Sequence, residues 1–67
     1  MKARQFLRLL NAAGATIDKG RGKGGHVLVT LHGRKATVPS HGDTDFHPDF
    51  FDDICKQLGT RLRELHR

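Results

Sequence analysis

Sixty-seven residues, a formal net charge of +5 and a single cysteine describe a chain with room for one core. At this size only about 60% of the unfolded surface is buried, so a deep substrate cavity is excluded and any active site must lie on a surface or in a groove. Lone Cys55 excludes an internal disulfide, and no apolar run is long enough to span a bilayer. With no signal-peptide pattern either, the expected setting is reducing and cytoplasmic, with no membrane partner.

The first element is a helix. Phe6, Leu9, Leu10 and Ala13 recur at i, i+3, i+4 and i+7, and Leu7 widens the stripe. Lys2, Arg4 and Arg8 fall mainly outside it and are expected to be solvated. Gly14 closes the helix, and Ala15 to Asp18 reads as a short strand.

A glycine-rich basic loop follows, Gly20-Arg21-Gly22-Lys23-Gly24-Gly25, ending at His26. From His26 to Leu31 the chain alternates: Val27, Val29 and Leu31 face one way, and His26, Leu28, Thr30 and His32 the other. Gly33 marks a tight turn. Lys35 to Pro39 returns as the partner strand, with Ala36 and Val38 on its apolar side. Ser40 to His47 is a polar loop.

Pro48 stands at a first helical position, and Asp49, Asp52 and Asp53 load the first turns with negative charge. Phe51, Ile54, Cys55 and Leu58 give this helix its buried stripe, which makes Cys55 core filler rather than a nucleophile. Gly59 ends the helix. One domain is expected over residues 1–60. Residues 61–67 form a basic tail, with a helical extension through Leu62 and Leu65.

The fold class is therefore α+β, a single small domain in the order α-β-β-β-α. A three-stranded antiparallel sheet with both helices on one face would bury both stripes. His26, Leu28, Thr30 and His32 then lie on the open face.

Charge is distributed unevenly. Residues 1–35 carry eight Lys/Arg against one acid, a net +7, and residues 36–67 carry four against six, a net −2. A basic half gathered around a flexible loop favours a polyanion as partner. Gly20-x-Gly22-x-x-Gly25 matches the dinucleotide fingerprint formally, but that motif opens a helix and here a strand follows. The five histidines lack paired zinc spacing, so chemistry without metal or other cofactor is expected. Imidazole titrates at about pH 6.5, which suits proton transfer at neutral pH. Spacing alone leaves His26 open between an acid–base group and an ordinary strand residue beside a loop.

The order of landmarks resembles the HicA family of toxins, small mRNA interferases of toxin–antitoxin systems. The resemblance rests on Leu9-Leu10, Lys23-Gly24-Gly25-His26, Gly33-Arg34, Val38-Pro39-Ser40-His41 and Lys56-Gln57-Leu58-Gly59, and covers roughly residues 1–60. It implies a fold like a double-stranded RNA-binding domain, a metal-independent endoribonuclease, and a HicB-like antitoxin protein as partner. His26 matches the family's catalytic histidine. Arg21, Lys23, Gly24 and Gly25 are then the expected grip on the scissile phosphate of an mRNA substrate. Arg34 and Lys35 would guide the RNA backbone from the hairpin, and His41 is a secondary acid/base candidate. Gly25 stands where the family usually has serine. Asp49-Phe50-Phe51 replaces the family's usual helix start, and its acidity makes it a poor phosphate contact. Two other functions fit the same residues: a module that binds RNA without cutting it, and a protein-interaction domain that uses the acidic last helix.

Overall fold

The computed structural model describes residues 1–20, 25–40 and 44–66. Its elements run α1 (Ala3–Ala12), β1 (Thr16–Asp18), β2 (His26–Leu31), β3 (Arg34–Pro39), α2 (Pro48–Gln57) and α3 (Leu62–Leu65). The strands form one antiparallel sheet in the order β1-β2-β3. The α-β-β-β-α order expected from the sequence is therefore present, with α3 as an added single turn.

Register decides which side chains share a face, because directly paired residues point the same way. Ile17 pairs with Val29 and Val29 with Ala36, while Val27 pairs with Val38. Val27, Val29, Leu31, Ala36 and Val38 are buried in one cluster with residues of all three helices. The opposite face carries Thr16, Leu28, Thr30, Lys35 and Thr37, all exposed or half-buried. Both helices thus cover one side of the sheet and leave the other open.

In α1 the buried face is Ala3, Phe6 and Leu10, with Leu7 and Leu9 half-buried. Ala13 is exposed, unlike its place in the predicted stripe, because regular helix ends at Ala12 and Ala13 is the cap. Phe6 stacks on Phe51 of α2 with ring centroids 4.5 Å apart, which locks the two helices together. Phe51, Ile54, Cys55 and Leu58 are all buried, as their spacing predicts. Burial pushes the Cys55 thiol up to about 11.

Three features place α2 and α3. The His47 Nδ1 accepts the Asp49 N–H at 3.1 Å and caps α2, with Pro48 at the next position. The Phe46 N–H donates to the Met1 carbonyl at 2.9 Å beside a bridge between Lys2 and Asp45, so the segment before α2 is tied to the start of α1. Asp52 accepts a forked pair of bonds from Arg61 and a third from the Leu62 N–H at 2.9 Å. That turn carries Leu62 and Leu65 into the core. No helix of the described residues is long and apolar enough to cross a membrane.

Candidate active site

The site begins where β1 ends. Asp18 Oδ1 accepts the Gly20 N–H at 2.9 Å, an Asx-turn that starts the glycine-rich loop. The chain leaves the loop through Gly25, whose φ of +81° lies in the left-handed region that an L side chain resists. His26 follows and pairs with Pro39 at the end of the hairpin. Beyond that pair, the Ser40 N–H donates to the Gly25 carbonyl at 2.6 Å. The backbone carrying the imidazole is thus held by a strand pair on one side and a loop-closing bond on the other.

His26 is exposed and lines a surface groove of about 550 Å³. Arg4 and Leu7 of α1, Lys19 after β1, Gly25, Val27 and Ser40 complete its walls. Arg4 and Lys19 set two positive charges in the groove that holds the imidazole. A neutral imidazole can take a proton and an imidazolium can return one. Flanking cations stabilise negative charge that builds on a reacting group between them. This arrangement fits proton transfer at an anionic substrate. Among the described residues, no three His, Cys, Asp or Glu side chains converge as a metal-binding group.

The expected site residues separate into three groups. Gly25 and His26 lie together in the groove. Arg34 and Lys35 sit at the far end of the hairpin: Arg34 pairs with Leu31, five positions from His26, roughly 17 Å along the strand. Arg34 lies over the end of α2, so close that a Cβ on Gly59 would stand 3.2 Å from its Nε. They do not line the groove. Arg21, Lys23, Gly24 and His41 lie outside the described residues.

Arg4, Lys19 and Ser40 line the groove without having been singled out as site residues. Arg4 carries the weakest sequence signal, since a cation off the apolar stripe reads as solvated surface. Lys19 adjoins the loop, and Ser40 lies within the Val38-Pro39-Ser40-His41 motif; for these two a signal was present.

Comparison with known proteins bears on the family of the chain. A family model described as the HicA toxin of bacterial toxin–antitoxin matches residues 3–60. A protein of Pseudomonas fluorescens (strain Pf0-1) named "Probable mRNA interferase HicA" is 36% identical over 61 residues, covering 91% of this chain and 98% of its own length. No solved structure matches the chain. With the family pattern running from the start of α1 past the end of α2, the chain belongs to the HicA toxin family.

Proposed function

We propose that this HicA-family chain is an mRNA interferase, a metal-independent endoribonuclease in which His26 is the general acid/base. The observation that supports this most is the position of His26 in one groove with Arg4 and Lys19. RNA brings its own nucleophile. The 2′-oxygen attacks the adjacent phosphorus, a P–O2′ bond forms, and the P–O5′ bond breaks. One proton leaves the 2′-hydroxyl and one reaches the departing 5′-oxygen. His26 carries one of these transfers, and the groove cations offset charge on the five-coordinate phosphorus.

The loop residues Arg21, Lys23, Gly24 and Gly25 hold the scissile phosphate in this reading, and Arg34 and Lys35 steer the more distant backbone. His41 is the candidate for the second proton transfer. The partner is a HicB-like antitoxin that keeps RNA from the groove.

The test incubates the parent chain and His26→Ala with single-stranded RNA in EDTA. The parent should yield fragments ending in a 2′,3′-cyclic phosphate, and the variant should be slower by about 10²- to 10⁴-fold. Cleavage by His26→Ala at the parent rate removes His26 from the chemistry. Binding without cleavage by the parent makes the chain an RNA-binding module. Absence of RNA affinity at low salt ends both RNA readings.

A further inference from the structure

A second groove of about 300 Å³ adjoins the His26 groove and is lined by Arg4, Leu7, Arg8, Asn11, Ile17 and Lys19. The two grooves share Arg4, Leu7 and Lys19, so they lie side by side as a channel between α1 and the β1 end of the sheet. Arg4, Arg8 and Asn11 follow one another at i, i+4 and i+7 on α1, a polar stripe of about 10 Å along the axis. All three are exposed, as is Lys19 across the channel. Among the described residues, neither Arg8 nor Lys19 pairs with a carboxylate. The neighbouring acid, Asp18, is engaged by the Gly20 N–H in the turn that opens the loop.

Leu7 and Ile17 are half-buried and give the channel an apolar floor. Apolar surface between cations suits an unpaired nucleotide, whose base or ribose can lie on the floor while its phosphate meets the rim. A duplex presents its bases only as stacked edges. The start of α2 offers a nucleic acid little: Asp49 is exposed there, and Asp52 and Asp53 follow.

We propose that this channel is the substrate track, and that a single strand of RNA leaves the His26 groove along α1 with its phosphates on Arg4, Arg8 and Lys19. The proposal rests on the reading of the chain as an RNA-cutting enzyme. It goes further by naming the face the substrate occupies, and gives a role to Arg4 and Arg8, which the sequence alone assigns to solvent.

Binding can be separated from cutting with a single-stranded 2′-O-methyl oligoribonucleotide, which has no free 2′-hydroxyl and stays intact. Its affinity is measured by fluorescence anisotropy over a salt series for the parent, Arg8→Gln, Lys19→Gln, Arg8→Lys and Lys56→Gln, with thermal melts to confirm folding. Each lost phosphate contact should reduce the slope of log affinity against log salt by about 0.7. Arg8→Gln and Lys19→Gln should each show that loss. Arg8→Lys should keep the slope, because charge and not packing is at work. Lys56→Gln, on α2 beside Asp53, should match the parent. The track is overturned if Arg8→Gln and Lys19→Gln keep the parent slope, or if a duplex of the same sequence binds as tightly as the strand. If the parent still cuts ordinary RNA through His26, that result removes the track and leaves the nuclease reading in place. A parent that binds no RNA at low salt overturns both.

Discussion

Ser40 donates its backbone N–H to the carbonyl of Gly25 at 2.6 Å, immediately beyond the pairing of His26 with Pro39. This bond ties the end of β3 to the residue that precedes the candidate catalytic imidazole, so loop exit and hairpin end move together. Ser40→Pro removes the donor. It should lower cleavage by up to about 10²-fold, the scale on which small misplacements of a reacting group act. Ser40→Ala keeps the N–H and should fall far less. Single-turnover cleavage of a labelled RNA by the two variants checks the difference.

Gly25 predicts a second outcome in the same place. At φ +81° a side chain is strained, so Gly25→Ala should cost about 1–3 kcal/mol in stability or shift the loop exit. Chemical denaturation measures the first, and a change in cleavage rate above that loss reports the second.

The far end of the hairpin should behave oppositely. His32 has φ +51° and Gly33 +80°, the pair of positive angles of a type I′ turn, where asparagine is preferred at the first position. His32→Asn should raise the melting temperature and leave RNA cleavage unchanged, because the turn lies at the opposite end of β2 from His26. Differential scanning calorimetry with the cleavage assay decides this.

Asp52 makes the fold sensitive to acid. Its fork with Arg61, with bonds of 3.1 and 2.7 Å, and the Leu62 N–H hold its carboxyl at about 2, below the usual 3.8. A carboxylate with a lowered folded value contributes stability in full above its unfolded value. That contribution is lost as pH falls from 3.8 toward about 2. Asp52→Asn should therefore melt lower than the parent at neutral pH, with the gap closing across that acid window. Thermal melts followed by circular dichroism over a pH series measure the convergence.

Cys55 should be silent in the native chain. It is fully buried, and its thiol sits at about 11 because burial disfavours the thiolate. A thiol-alkylating reagent should leave RNA cleavage intact and label Cys55 only once denaturant opens the core, as mass spectrometry would record.

Much of the fold was legible in the residues themselves. Strand alternation in His26 to Leu31 placed Val27, Val29 and Leu31 inside, and the Phe51–Ile54–Cys55–Leu58 spacing marked the buried face of α2. These patterns are readable because a strand repeats every two residues and a helix every 3.6, so one buried face writes itself into local sequence. Ala13 escaped the pattern because a helix end is set by its cap. The bonding of Met1 to Phe46 left no periodic trace, since it joins residues distant along the chain.

The sequence by itself determined the elements, their buried faces, the basic half of the chain and His26 as the residue to watch. The tertiary structure decided which charges keep company with that histidine. Register carried Arg34 and Lys35 to the other end of the hairpin, while packing of α1 beside the sheet brought Arg4 and Lys19 to the imidazole's groove and Arg8 into the channel beyond it. A cation's neighbours depend on how elements pack across space, and a solvated arginine on a helix has no local mark that separates it from one facing a substrate.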